Sequence, residues 1–169
     1  MDGALEAFLA TARRVVYCSL ATVDRRGRPR SRLVHAVWEP GPEGELVGWV
    51  GSRPTPMRRA HLERTPFASC FYWDPAHDVA VAECGVKWID DDEGRRHAWE
   101  RLSAAPEPMG YDPAPIWPDG PEGKDFVALR LEPWRVQAKS AAAMAAGEPY
   151  LVWEGSVWEG SDPLRVVEG

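Results

Sequence analysis

The chain has 169 residues, enough for one compact domain, and its apolar content of 44% is ordinary for a globular protein. A formal net charge of −6 argues against non-specific binding to nucleic acid. No apolar run approaches the length of a membrane span, and the acidic N-terminus does not resemble a signal peptide. We therefore expect a cytoplasmic protein that binds neither nucleic acid nor membrane.

The apolar pattern predicts strands that alternate with short helices. Leu5, Phe8, Leu9 and Ala12 recur at helical spacing, which predicts an amphipathic helix over residues 3–14. Strands are predicted at β-branched and apolar runs, over residues 15–23, 30–39, 45–51, 67–73, 78–89 and 126–138. The run Pro54-Thr55-Pro56 predicts the start of a short helix through Arg64, with Thr55 as N-cap and Pro56 at the first helical position. Further short helices are predicted over residues 90–104 and 140–147. This order favours an α+β fold built around an antiparallel barrel or sheet.

Two stretches have no regular pattern. Residues 105–125 are rich in Pro and Gly, which indicates a long irregular segment that is either functional or mobile. The sequence Val-Trp-Glu-Gly-Ser occurs twice in tandem, at residues 152–156 and 157–161. An edge strand, an arm that wraps a dimer partner, and disorder all stay open for it. We expect one domain over residues 1–139 and a C-terminal tail over residues 140–169.

Residues for metal or nucleophilic chemistry are scattered. The four histidines have no cysteine or carboxylate at ligand spacing, so we expect no metal site and no catalytic triad. Cys18, Cys70 and Cys84 each lie in an apolar run, which predicts buried free thiols. The acidic run at residues 90–93 complements the start of a helix dipole and receives no metal role.

Arginines carry the remaining chemistry. Period-two alternation places Arg32 on one strand face with Val34, Ala36 and Trp38. If that face is inward, the guanidinium needs an anion; if it is outward, Arg32 is simply solvated, and the sequence leaves both open.

A second group of arginines surrounds the start of the helix near residue 56. Arg53, Arg58 and Arg59 follow a Ser/Thr-containing lead-in, where free N–H groups and guanidinium groups together suit a phosphate. A solvated basic face on a surface helix is the alternative.

The order and spacing of short motifs resemble the flavin-binding split barrel of the pyridoxamine 5′-phosphate oxidase-like superfamily. The run 18–24 followed by 27–29 is similar to the first hairpin of that family, and the run 30–34 is similar to its second strand. Arg58, Leu62 and Pro66 match the spacing of the family's next helix. Phe71-Tyr72-Trp73 and His77-Asp78-Val79 are similar to the following strand end and turn. Residues 99, 109–113 and 126–136 resemble an actinobacterial-type subgroup without an assigned substrate.

This resemblance implies an FMN-binding, homodimeric, flavin-dependent oxidoreductase that acts on an unknown small molecule. It implies that Arg32 and Arg58 bind the FMN phosphate with help from Ser52 and Arg59. The backbone at Leu33 and Val34 would meet the isoalloxazine edge, and His77 or Asp78 of a second subunit would approach the ring. The C-terminal Trp/Arg/His signature of the true oxidases is missing after residue 126, so we expect a different substrate.

Three alternatives stay open. The same barrel can hold an 8-hydroxy-5-deazaflavin coenzyme, whose polyglutamate tail would be served by Arg25, Arg26, Arg28 and Arg30. A non-catalytic carrier or sensor of flavin or haem is the second alternative. A nucleic-acid binder that uses the basic run is the third, and the acidic chain disfavours it.

Overall fold

The computed structural model of the chain describes residues 2–41 and 45–155. The helices are α1 (Gly3–Val15), α2 (Pro56–Arg64), α3 (Asp92–Ala104) and α4 (Ala141–Ala145). The strands are β1 (Tyr17–Val23), β2 (Pro29–Pro40), β3 (Leu46–Ser52), β4 (Phe67–Trp73), β5 (Val79–Ile89), β6 (Val127–Lys139) and β7 (Leu151–Glu154).

The strands form one antiparallel sheet that closes on itself. Their order is β3-β2-β1-β4-β5-β6-β7, and β3 also pairs with β6, which closes a barrel of β1 to β6. Because closure pairs the two edges of the sheet, it removes most of the exposed strand edge. The predicted α+β class with an antiparallel barrel is confirmed.

Helix α1 closes one side of the barrel because its apolar stripe lies on the core. Phe8 is fully buried and makes edge-to-face contacts with Trp38 and Tyr72, at centroid distances of 5.1 and 5.7 Å. The Trp38 Nε1–H donates to the Tyr72 hydroxyl over 2.7 Å, which satisfies both polar groups inside the core.

The three cysteines also point into the barrel. Cys18, Cys70 and Cys84 are buried and free, as the sequence predicts. A hydrogen bond with Cys70 and burial raise the pKa of the Cys18 thiol, so the thiol stays protonated. Because the thiolate is the nucleophile, this cysteine is unreactive in the folded protein.

The strand predicted over residues 126–138 is one continuous strand with an irregularity. The pairing of β5 with β6 shifts register between Glu83 and Cys84, and Cys84 pairs with Pro133. Proline has no backbone N–H to donate, so a register shift at Pro133 breaks no further hydrogen bond between the two strands. No helix in the described part of the chain is long and apolar enough to cross a membrane.

Residues 152–155 of the first copy of the tandem repeat lie on the chain's own barrel. They form most of β7, which pairs with β6, and Trp153 packs against the core. The edge-strand alternative therefore holds for this copy. The second copy lies outside the described residues, and the division of the chain at residue 139 stays a prediction.

Asp24 fixes the hairpin between β1 and β2. Its carboxylate accepts hydrogen bonds from the N–H groups of Arg26 and Arg28, at 2.8 and 3.1 Å, and from the Arg28 guanidinium at 2.8 Å. The bond from the Arg28 side chain is the largest of several that lower the pKa of Asp24.

We expect Asp24→Asn to destabilise the protein at pH 7 and to have a diminishing effect as the pH falls below about 4. A lowered carboxyl pKa contributes stability above the unfolded-state pKa, and this contribution disappears as the group is protonated in acid. Thermal unfolding at pH 7, 5 and 3 measures this. The exposed Glu107→Gln is the control, and an equal loss for Asp24→Asn at all three pH values would contradict the prediction.

Candidate functional site

The structure places Arg32 on the inward side of β2. Val34, Ala36 and Trp38 contribute to the barrel core, and alternation puts the half-buried Arg32 on their face. Its Nη1 donates to the Thr22 hydroxyl over 2.9 Å and contacts the Arg30 carbonyl at 3.3 Å. Burial, followed by the charge of Arg30, lowers the pKa of Arg32.

One edge of β2 beside Arg32 has no strand partner. Pairing with β3 begins only at Ala36, opposite Val50, whereas pairing with β1 runs from Pro29 to His35. Within the described residues, the N-terminal half of β2 is therefore paired on one side only. Because successive residues direct their backbone N–H and C=O groups to opposite edges of a strand, one of Leu33 and Val34 presents these groups on the open side, where a ligand can bind them.

Arg58 reaches this open edge from α2, whose first residue is Pro56, as the sequence predicts. Its Nη1 donates to the hydroxyl of the buried Ser52 at the end of β3. Its Nε is buried and has no hydrogen-bond partner among the described residues. Burial, followed by the charge of Arg32, lowers the pKa of Arg58.

Arg32 and Arg58 thus form an electrostatically unfavourable pair. Each guanidinium is partly desolvated, the charge of one disfavours the other, and no carboxylate in the described part of the chain forms a salt bridge with either. Two such cations are costly unless an anion joins them. This arrangement fits a phosphate group, with Ser52 as a further hydrogen-bonding group.

Arg59 occupies a different environment from its neighbour Arg58. Its guanidinium forms salt bridges with Glu63 at 2.8 Å and Asp90 at 2.7 Å. Both partners already neutralise it, so we leave Arg59 out of the proposed phosphate site. The sequence could not reveal the salt bridge between Arg59 and Asp90, because Asp90 is distant along the chain.

A cleft of about 560 Å³ lies beside Arg58 and Ser52. One wall comes from β1, β2 and β3, and the opposite wall comes from the 105–125 segment through residues that include Tyr111 and Trp117. The lining in full is Val16, Tyr17, Leu33, Val34, His35, Gly51, Ser52, Arg53, Arg58, Pro108, Gly110, Tyr111, Ile116 and Trp117.

Hydrogen bonds hold the 105–125 segment in place. The Tyr111 N–H donates to the Leu102 carbonyl at 3.0 Å, Arg53 donates to the Ile116 carbonyl at 3.1 Å, and Arg95 donates to the Gly123 carbonyl at 3.0 Å. The irregular segment is thus a fixed wall of the cleft. The Pro and Gly content predicted the irregular course of this segment, and not which of its side chains line the cleft.

His77 and Asp78 lie at the far hairpin and do not line this cleft. Asp78 accepts hydrogen bonds from Arg14 at 2.8 Å and from the Ala141 N–H at 2.9 Å, so it joins α1 to the start of α4. The His77 ring lies 5.6 Å from that of Trp73. Within one chain the structure therefore does not bring these two residues to Arg32 and Arg58.

An apolar surface lies on the outer face of neighbouring strands. Leu33 and Phe71 both pair with Ser19, so they lie on the same face of β2, β1 and β4. Tyr17 and Trp73 are two residues further along on that face. These four exposed side chains, Tyr17, Leu33, Phe71 and Trp73, are called the outer apolar face. Such a contiguous patch is typical of an interaction surface.

Structural comparison identifies the architecture. The chain is similar to a crystal structure from Clostridium acetobutylicum of a protein related to general stress protein 26, of the pyridoxinephosphate oxidase family. The TM-score is 0.66 at 10% identity, over 89% of this chain and 93% of that one. The fold of this chain is the split barrel. No protein-family model and no curated protein sequence matches it.

Two other solved structures resemble the chain. One is a pyridoxamine 5′-phosphate oxidase-related, FMN-binding protein from Nostoc punctiforme, with a TM-score of 0.58 at 17% identity over 91% of this chain and 94% of that one. The other is a heme-binding protein from Mycobacterium smegmatis, with a TM-score of 0.58 at 18% identity over 86% of this chain and 61% of that one. At these identities the comparison establishes the split-barrel fold, and the actinobacterial-type subgroup stays a prediction.

Proposed function

We propose that the protein binds FMN and is a flavin-dependent oxidoreductase that acts on a small molecule. The observation that carries this proposal is the pair of unneutralised guanidinium groups, Arg32 and Arg58, beside the open edge of β2. The Nostoc punctiforme relative is described as FMN-binding, which supports the same assignment.

In this proposal the residues of the chain bind and orient the cofactor. Arg32 and Arg58 hold the phosphate with Ser52, and the backbone of Leu33 and Val34 meets the edge of the isoalloxazine ring. The flavin, when bound, supplies the electron transfer, and the protein holds it and limits its contact with water. His77 or Asp78 of a partner subunit remains a candidate for approaching the ring. His77 suits this better, because Asp78 already accepts from Arg14 and Ala141.

Two of the four arginines named for a deazaflavin tail are already paired with a carboxylate, which weighs against that coenzyme. A polyglutamate tail needs free cations, but Arg28 and Arg30 share Asp24, at 2.8 and 4.0 Å. The similarity to a heme-binding protein supports a second candidate function, a carrier or sensor of haem. Native mass spectrometry of the purified protein tests all three, because it reports the mass of the bound group. A deazaflavin or haem mass in place of FMN would overturn the proposal.

We expect a homodimer in solution, formed through the outer apolar face. Burying Phe71, Trp73 and their neighbours against a second copy removes exposed apolar surface from water. Sedimentation at micromolar concentration should give twice the chain mass, and Phe71→Glu with Trp73→Glu should give a monomer. Met144→Glu, an exposed residue on α4, is the control. A wild-type monomer that binds FMN tightly would contradict the prediction.

We expect no substantial oxidation of pyridoxamine 5′-phosphate or pyridoxine 5′-phosphate. The split barrel holds a cofactor, but substrate choice depends on groups that the fold does not fix. Turnover of either compound by the flavin-loaded protein is measured as oxygen consumption. The rate should be far below an ordinary rate of about 1 per second. A rate at that level would show that another part of the chain recognises the substrate.

A further inference from the structure

A second cleft lies between α1, α4 and the end of β6. Its volume is about 320 Å³, at the small end of the range for ligand pockets. It shares no lining residue with the cleft beside Arg58. We call it the α1–α4 cleft. Small side chains leave room in it for a ligand, namely those of Ala7, Ala10, Ala138 and Ala143.

The hydroxyl of Thr11 meets this cleft without a partner. Thr11 is 5% exposed and lines the cleft, and its side chain forms no hydrogen bond within the described residues. The oxygen is not among the polar atoms sealed in the core, so the opening that it reaches is the cleft. A polar group on so buried a residue normally has a hydrogen-bond partner. A ligand in the cleft supplies one.

Two opposite charges at the α1–α4 cleft also lack ionic partners. Lys139 and Glu148 line it, and neither forms a salt bridge within the described residues. The Lys139 ammonium group lies 5.0 Å from the centre of the Tyr150 ring. Arg14 and Asp78 line the cleft as well, but they pair with each other at 2.8 Å. One cation and one anion are therefore free to bind a ligand.

The backbone holds Glu148 in a defined position. Gly147 has a φ of 69°, and its N–H donates to the Met144 carbonyl at 3.1 Å. The Glu148 N–H donates to the Ala143 carbonyl at 2.9 Å. These two bonds and the left-handed glycine form a Schellman motif, which ends α4 and turns the chain back. The motif therefore fixes the backbone that carries this carboxylate beside the cleft.

We propose that the α1–α4 cleft binds a small zwitterion of the amino-acid type. Its carboxylate pairs with Lys139, its ammonium group pairs with Glu148, and the Thr11 hydroxyl forms a further hydrogen bond. The alanine side chains accommodate a short aliphatic body. A ligand with both charges complements the cleft better than a simple anion or cation, because either of those leaves one charge of the cleft unpaired. This site needs no flavin, so the inference does not rest on the proposed function.

Three probes with the same branched carbon skeleton test the two charges separately. L-valine carries both charges, isovalerate lacks the ammonium group, and isobutylamine lacks the carboxylate. Two-dimensional NMR titration of the isotope-labelled chain measures each dissociation constant and shows which amides respond. We expect L-valine to shift the amides of Thr11 and Gly147, and each single-charge probe to bind about 2- to 5-fold more weakly.

Two charge variants test the assigned roles. Lys139→Met should weaken L-valine and isovalerate by a similar factor and leave isobutylamine unchanged. Glu148→Gln should weaken L-valine and isobutylamine and leave isovalerate unchanged. Lys124→Met and Glu107→Gln are the matched controls, because each removes an exposed charge outside the cleft.

A variant that fills the cleft tests its location without a change of charge. Ala143→Leu should abolish L-valine binding, and Ala142→Leu, an exposed position on the same helix outside the lining, is its control. No binding of L-valine to the wild type, equal affinity for all three probes, or wild-type affinity in Ala143→Leu would each overturn the inference. FMN affinity should be the same in all these variants, so the outcome does not depend on the proposed function.

Discussion

Replacing Arg32 with alanine is expected to weaken FMN binding about 30- to 4,000-fold while the barrel stays folded. The guanidinium lies half-buried on the inward face of β2, near Arg58. No carboxylate in the described part of the chain forms a salt bridge with it. A charged arginine at this position destabilises the apo protein, and it becomes favourable only when an anion is bound. We expect the unfolding temperature of the apo variant to equal or exceed that of the wild type.

Fluorescence titration of FMN measures the affinity, and thermal unfolding of the apo proteins measures the fold. Arg58→Ala should act in the same direction, and the double variant should lose less than the product of the two effects because both residues hold one phosphate. Arg96→Ala is the control, since Arg96 pairs with Glu122 on the surface at 3.0 Å. Wild-type affinity in Arg32→Ala would mean that the anion lies elsewhere.

Replacing Phe8 with alanine is expected to lower the free energy of unfolding by about 3–5 kcal/mol. Phe8 is fully buried where α1 closes the barrel, and its ring contacts both Trp38 and Tyr72. The substitution leaves a cavity between a helix and a closed sheet, and a closed sheet has little freedom to collapse around it. A loss of this size is a large part of the roughly 5–15 kcal/mol that stabilises a typical domain.

Urea unfolding followed by far-UV circular dichroism measures this loss. Phe8→Leu keeps most of the buried volume, so it should lose less and remain folded if Phe8→Ala does not. Met57→Ala removes a side chain of similar length that is 56% exposed, and its effect should be within about 0.5 kcal/mol of zero. Equal effects of Phe8→Ala and Met57→Ala would show that α1 is not part of the folded core.

The sequence by itself predicted the four helices, the strands β1 to β6 and the class of fold, but it left the strand β7 open among three alternatives. The 3.6-residue period of Leu5, Phe8, Leu9 and Ala12 predicted α1, and the β-branched runs predicted the strands, because both signals are local. The start of α2 was predictable for the same reason, since Pro56 has a fixed φ and no N–H to lose at a helix start. The buried, free state of the three cysteines followed from their apolar surroundings.

Only the tertiary structure shows which arginines have carboxylate partners in the described part of the chain. Arg58 and Arg59 are adjacent in the sequence, but one faces Ser52 and Arg32 and the other faces Glu63 and Asp90. The aromatic wall of the cleft was also hidden, because Tyr17, His35 and Tyr111 meet only through strand pairing and the return of a distant segment. Charge neutralisation and ring stacking depend on distances of a few ångströms between residues far apart in the chain, and a one-dimensional pattern does not contain those distances.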